Sequence, residues 1–452
     1  MMKPILTVTC LALAGCAAVG PDYTQPQLAL PQTFVGGTGG STGAATADLA
    51  AQSWWADYRD PTLTALVTRG LTQSLSVQQA EEAIRQAQAQ LRQTGVNSAL
   101  SGTSTASRLR SGGTGLAAGT ATESSLDAGI VLDLFGGLRR EREGAAANLA
   151  AAQADVEVAR LAWLSSLIAA YADARYYQQA MALTRQTIST REGTLEITQR
   201  QADAGGATSY EVAQARASLE SARADMPGYL AQFNANVFAM AALLNEPAAP
   251  LLAQMQKGAA PLLTPKSPAT GVPADLLRTR PDVRYSEAVL RQQVAEVGVD
   301  TAALLPSVSL TGSVGDSAGK SSWSFGPSLS LPVLNQGKLR AARAAQISAA
   351  RQAELDWRAT VSDAVEDVQT AGSNLTQYRL QSAALDRAAR SYGEALDLAR
   401  GNYEAGAITL LDLLDTDRSE ASARISAASA ANNAAKEWAV LQIALGVGAR
   451  PR

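Results

Sequence analysis

The chain has 452 residues, with 38 basic and 41 acidic side chains and a net charge of −3. That balance gives no electrostatic case for binding nucleic acid. Histidine is absent, which removes histidine-based catalytic triads and histidine-ligated metal sites, and no phosphate-binding glycine loop is present, so neither enzyme chemistry nor a cofactor is expected.

At the N-terminus, Lys3 precedes an apolar run from Ile5 to Leu13, followed by Ala14-Gly15-Cys16. A charged start, a short apolar core and small residues at the end describe a secretory signal over residues 1–15. The run is too short to span a bilayer, which takes about 20 residues. Leu13-Ala14-Gly15-Cys16 also resembles the bacterial lipobox, in which the cysteine is lipidated and becomes the first residue. Cys16 is therefore the candidate lipidation site, and Ala17 after it implies sorting to the outer membrane. Processing leaves Cys16 as the sole cysteine, so packing rather than disulfides holds the exported fold. No later window offers about 18 uninterrupted apolar residues. A membrane crossing must then be a β-barrel.

After a linker over residues 16–53, the chain is written twice, at 54–246 and at 275–448, with a second linker at 247–274. Each copy reads helix, strand pair, very long helix, tight turn, helix. In the first copy the strand candidates are 100–110, rich in Ser and Thr, and 125–134, where Leu126, Ala128, Ile130, Leu132 and Leu134 alternate with mostly small polar residues. Residues 138–204 contain no proline and predict a rod of about 100 Å. Gly205-Gly206 turns it, and a return helix covers 209–245. In the second copy, Val308, Leu310, Gly312 and Val314 alternate with Ser and Thr, as do Trp323, Phe325, Pro327, Leu329, Leu331 and Val333. A second rod over 338–405 turns at Gly406 and returns over 409–446. Ala204-Gly205-Gly206-Ala207-Thr208 aligns without gaps on Ala405-Gly406-Ala407-Ile408-Thr409. Val77, Glu81 and Ile84-Arg85-Gln86 align on Val283, Glu287 and Leu290-Arg291-Gln292.

The helices alone also fit a coiled-coil stalk. Strands of about ten residues with one apolar face and one Ser/Thr face suit a transmembrane barrel wall. A half-buried sheet in a soluble domain shares that alternation but usually carries charges outside. Four strands do not close a barrel, for which about eight is the practical minimum, and open edges are not viable in lipid. Copies of the chain must combine. The fold expected is mixed α and β, with long helical hairpins continuing a shared β-barrel as a second, α-helical tube.

Cys16, Gly20-Pro21-Asp22-Tyr23, Trp54-Trp55, Asp60-Pro61, Arg280-Pro281-Asp282, Leu305-Pro306-Ser307 and the two helical turns together resemble the TolC family of outer-membrane factors, in its lipoprotein branch of NodT and OprM type. The resemblance covers nearly the whole chain. It implies a homotrimer in the outer membrane, lipid-anchored and reaching into the periplasm. It also implies a periplasmic membrane-fusion adaptor and an inner-membrane pump, usually of the resistance-nodulation-division type, that load small molecules such as drugs. The same channel type serves type I protein secretion and metal-ion efflux.

The resemblance also assigns residues. Asp412 and Asp415, three apart on one helix face, match an Asp-x-x-Asp that narrows the periplasmic mouth. By residue type alone they are an ordinary acidic pair near a helix N-terminus. Tyr403 matches a tyrosine that hydrogen-bonds an acidic residue on the other hairpin, and Glu211 falls at that acidic position. Where the family has a lock arginine this chain has Ile408, for which Arg400 and Arg200 are candidate substitutes. The turns carrying Ala204, Gly205, Gly206, Ala405 and Gly406 are the candidate adaptor-docking tips, although they also read simply as good turns.

Overall fold

A computed structural model describes residues 18–29, 33–34, 53–258, 260–266 and 280–450. The signal segment and Cys16 lie outside the described residues. After a single 3₁₀ turn at Trp54–Tyr58, the elements in chain order are α1 (Pro61–Gln73), α2 (Leu75–Gln93), α3 (Val96–Ala99), β1 (Leu100–Gly113), β2 (Leu116–Leu132), α4 (Gly137–Asp203) and α5 (Ser209–Leu243). They continue as α6 (Ala248–Gln256), α7 (Pro281–Ala302), β3 (Ser307–Ser317), β4 (Lys320–Ser330), α8 (Gln336–Glu404) and α9 (Leu410–Ala444). The two rods run 67 and 69 residues, within two residues of the limits expected from glycine and proline spacing. α5 keeps Pro227 in its interior. Among the described residues no helix is long and apolar enough to cross a membrane.

Two compact units form, and neither coincides with a sequence repeat. The first gathers residues 1–29, 80–156 and 282–362; the second gathers 30–79, 157–281 and 363–452. Each draws on both copies because α4 and α8 pass from one unit to the other.

The first unit holds one antiparallel sheet in the order β1-β2-β3-β4. Directly paired residues share a face, so the register lines up the alternations read separately in three strands. Leu126 pairs with Val314 and Val314 with Trp323; Ile130 pairs with Leu310 and Leu310 with Pro327; Leu132 pairs with Val308 and Val308 with Leu329. One face is apolar across β2, β3 and β4, and it is bare: Leu126, Val314, Trp323, Phe325 and Leu329 are all exposed. The opposite face is mostly Ser, Thr and Gly, with Glu123, Asp127 and Lys320 and the apolar Leu109 and Val131. β1 brings Leu100, Gly102, Ser104, Ala106, Arg108 and Arg110 to the apolar side, which is why its alternation is weak.

Strand limits differ from the sequence expectation. β1 runs on to Gly113 and β2 starts at Leu116, in a stretch of mainly Ser, Thr, Gly and Ala that carries no alternation but still pairs backbone to backbone, and β2 ends at Leu132, short of Leu134. β4 stops at Ser330, short of Val333, because Pro332 has no N–H to give the ladder. The β3–β4 turn is Ala318-Gly319, both at positive φ, the backbone twist a two-residue hairpin favours.

The N-terminal strap is fastened to this unit. Val19 N–H donates to the Phe135 carbonyl at 2.9 Å. The buried Arg140 donates to the Val19 carbonyl at 3.1 Å and to Asp22 Oδ1 at 2.6 Å. Tyr23 donates to Glu287 Oε1 at 3.0 Å, with the Arg291 guanidinium over its ring. Gly20, at φ +90°, lies so close to Gly298 that a Cβ would stand 2.5 Å from the Gly298 Cα.

The second unit is helical. Trp54 and Tyr58 pack edge-on against Trp438 at 5.6 and 5.0 Å between ring centres, and Trp54 Nε1 donates to the Val447 carbonyl at 2.9 Å. Asp60 caps α1 through the Leu63 N–H at 3.0 Å, with Pro61 in the first turn. Its other oxygen accepts from Tyr171 at 2.6 Å, and Arg175 donates in turn to the Tyr171 oxygen. The Trp-Trp and Asp-Pro motifs are thus anchors that fix residues 54–73 to α4 and α9.

Candidate functional site

The two turns and the residues assigned to the gate lie in the second unit. The α4–α5 turn and the α8–α9 turn have the same hydrogen bonds. Gly206 N–H donates to the Gln201 carbonyl at 2.7 Å, and Ala407 N–H donates to the Asn402 carbonyl at 2.8 Å. These are bonds spanning six residues, which close a helix with a left-handed residue just before the donor. Gly205 at φ +77° and Gly406 at φ +72° fill that position. Gly206 is not required for its φ, so Ala407 replaces it without strain. Each return helix opens with a capping box. Thr208 accepts from the Glu211 N–H at 3.3 Å while Glu211 Oε2 accepts from the Thr208 N–H at 2.7 Å. Thr409 and Asp412 repeat this at 3.2 and 3.1 Å.

These boxes occupy two of the expected gate residues. The Thr208 backbone and hydroxyl donors hold Glu211 below the usual carboxylate range. The Thr409 hydroxyl and then its N–H do the same for Asp412. Asp412 and Asp415 are both exposed, one turn apart on α9, and Asp415 is paired with Arg418. The bond expected between Tyr403 and Glu211 is replaced by another. Thr198 gives its hydroxyl proton to the Thr194 carbonyl at 2.8 Å, so the buried Tyr403 donates to Thr198 Oγ1 at 3.0 Å. The tyrosine does reach the other hairpin, but its partner is on α4. Glu211 is turned to its own helix end because four N–H groups there lack partners.

Ile408 joins an apolar cluster of Ala215, Leu396, Ala399, Tyr403, Leu410 and Leu413. A guanidinium at that position would meet hydrocarbon. Arg400 donates to the Thr190 carbonyl at 3.4 Å. One buried ionic contact between the hairpins is one the sequence did not suggest. Arg191 on α4 donates through Nε to Asp417 Oδ2 on α9 at 2.6 Å and through Nη1 to the Ser218 carbonyl on α5 at 2.8 Å. Both side chains are buried, at 11% and 5% exposure. One signal was available: Leu410, Leu413, Asp417 and Glu420 follow a helical stripe, so α9 carries two acids on its apolar face. Acids there demand buried cations; Glu420 is paired with Arg424, and burial raises its pKa. A groove of about 570 Å³ lies beside the Arg191 pair, lined by Thr184, Arg191, Ser218, Tyr229, Leu414 and Arg418 among others.

Among the described residues no cluster of acids or cysteine could hold a metal ion. The arrangement is one of caps, a buried tie and exposed turns.

The family model described as outer membrane efflux protein matches residues 66–246 and 272–447. Nodulation protein T of Rhizobium leguminosarum bv. trifolii is 36% identical over 455 residues, covering 98% of this chain and 96% of that protein. Outer membrane protein OprJ of Pseudomonas aeruginosa is 31% identical, covering 93% of this chain and 91% of that one. The solved outer-membrane channel OprN superposes with a TM-score of 0.84 at 27% identity, over 96% of this chain and all of that chain. The duplicated helical hairpins, the four-stranded sheet and these end-to-end matches agree: the chain belongs to the outer membrane efflux protein family, the TolC-type channels, in their NodT-like branch.

Proposed function

We propose that three copies of this chain form the outer-membrane exit duct of a tripartite efflux system exporting small molecules. The observation that carries this reading is the sheet. It has one bare apolar face and two unpaired edges, β1 and β4. Such a sheet is not viable in lipid alone, and joining β4 of one copy to β1 of the next removes every edge at once. The Ser/Thr face then lines water and the Trp323 face meets hydrocarbon. Cys16, acylated, anchors each chain. The α4–α5 and α8–α9 turns present Ala204, Gly205, Gly206, Ala405 and Gly406 to a periplasmic adaptor, which connects the duct to an inner-membrane pump of the resistance-nodulation-division type. Asp412 and Asp415 from each copy form the acidic mouth, favouring cations over anions.

Planar-bilayer recording of the purified protein, with and without divalent cations, tests the reading. Cation-selective conductance that divalent cations block is the expected result. A monomer that stays water-soluble after removal of its acyl chains, and carries no current, would overturn it.

A further inference from the structure

The register places two cations where the proposed barrel leaves the hydrocarbon. On the apolar face, the row Leu126, Val314 and Trp323 is followed by the row Ala106, Ser124, Asp316 and Ser321. Arg108, paired with Thr122, occupies the next row, and Arg110, paired with Thr120, the one after. Rows on one face are two residues, or about 7 Å, apart. Arg108 therefore stands about 14 Å along the strand beyond the last apolar row, on the lipid side rather than the lumen side.

β3 has ended at that level. Its pairing with β2 stops at Glu123 and Ser317, so β1 and β2 continue as a lone hairpin to Leu116. Both guanidinium groups are exposed, and neither has a hydrogen-bond or ion-pair partner among the described residues. Glu123 and Asp127 project from the opposite face. Asp316, the acid on the same face, is two strands away and accepts from the Gly319 N–H at 3.1 Å. The outward surface of the hairpin thus carries positive charge with no local anion.

We infer that Arg108 and Arg110 bind the phosphate groups of outer-leaflet lipid, fastening each protomer to the headgroup layer around the barrel. The inference rests on the barrel reading, which puts the hairpin end of the sheet outside the cell and the helical end inside. Arginine in hydrocarbon is costly, and the cost falls away at the interface. Two forks about 7 Å apart along one strand suit a phosphomonoester bidentately, or two neighbouring phosphates. Carbohydrate alone would leave both charges unmatched. A soluble phosphate would gain nothing from their position beside the apolar face.

The test uses full-length protein in zwitterionic detergent, titrated with lipid A and followed by native mass spectrometry. Wild type is expected to retain lipid A and to retain dephosphorylated lipid A poorly. The double variant Arg108→Gln, Arg110→Gln should bind lipid A roughly thirtyfold more weakly. Lys320→Gln, on the lumen face of β4, should bind as wild type does. Inorganic phosphate should not displace lipid A. Equal lipid A binding by wild type and the double variant overturns the inference, as does equal binding of the dephosphorylated lipid. Displacement by inorganic phosphate makes the pair a general anion site and overturns the lipid assignment. Bilayer conductance separates the two readings. If wild type and the double variant conduct alike, the channel stands whatever the lipid result; if wild type carries no current, both readings fall.

Discussion

Arg191 and Asp417, 226 residues apart in sequence, form a buried ion pair that ties α4 to α9, while the same guanidinium holds α5 through the Ser218 carbonyl. Three helices of two hairpins meet on one side chain. A groove runs beside the pair, and one turn away Leu413 packs in the apolar cluster, so the ion pair adds to close packing in holding α9. Arg191→Ala leaves the Asp417 carboxylate buried and unpaired and should destabilise the protein by about 3 kcal/mol. Replacing both partners, as Arg191→Met with Asp417→Leu, should restore most of that loss. Chemical denaturation of wild type, Arg191→Ala and the double variant measures it, and a double variant as unstable as Arg191→Ala would contradict the pairing. In bilayers, Arg191→Ala should also raise the open fraction if Asp412 and Asp415 on α9 form the proposed acidic mouth.

Tyr403 and Thr198 give an asymmetric prediction. Tyr403→Phe removes one hydrogen bond and leaves Thr198 bonded to the Thr194 carbonyl, a loss of about 1 kcal/mol. Thr198→Val strands a buried tyrosine hydroxyl and should cost more, up to about 3 kcal/mol. Glu211→Gln should leave the Tyr403 contact unchanged. Thermal unfolding of the three variants checks the order.

The capping boxes predict a pH effect. Thr409 donors lower the Asp412 pKa and Thr208 donors lower that of Glu211. A carboxylate whose pKa falls on folding contributes stability above its unfolded value, about 3.9 for Asp and 4.3 for Glu. That contribution is lost as pH drops through the lower folded value. Both helix starts should therefore hold at neutral pH and weaken only in strong acid. Carboxylate titration by NMR should show both groups below their reference values, and a partial return of Asp412 toward its reference value in Thr409→Ala, which keeps the backbone donor. Thr409→Ala should also lose about 1 kcal/mol of stability. Asp412→Ala accordingly disturbs the cap as well as the charge, so a gating test is cleaner with Asp415.

Gly20→Ala should fail to seat the N-terminal strap. Its φ is +90° and the added carbon would approach the Gly298 Cα to 2.5 Å, backbone against backbone. Limited proteolysis should cut the strap around residues 18–23 in this variant and leave wild type intact there.

The long helices were legible because residues lacking proline and poor in glycine leave the backbone one favourable state, and the glycine turns marked their ends. Three strands were legible because one face buries in lipid or protein while the other stays small and polar. β1 was obscured for the same reason reversed: Gly102, Ser104, Arg108 and Arg110 occupy its apolar side. The gate partners were misread where side chains had nearer options. Glu211 closes its own helix, and Tyr403 finds Thr198 one helix away. Arg191 left no periodic mark on α4. Asp417 did, as an acid within the Leu410–Leu413 stripe of α9.

The matched turns carry one further consequence. Each is closed on both sides, by a left-handed glycine before it and a threonine cap after it, and each lifts a large apolar side chain into water at the equivalent place, Tyr210 at 69% and Leu411 at 64% exposure. A protein seating on such knuckles has less backbone motion to freeze than one seating on an uncapped loop. The entropic penalty that usually weakens loop-mediated association is already met in part during folding, and the grip depends on what those two side chains touch.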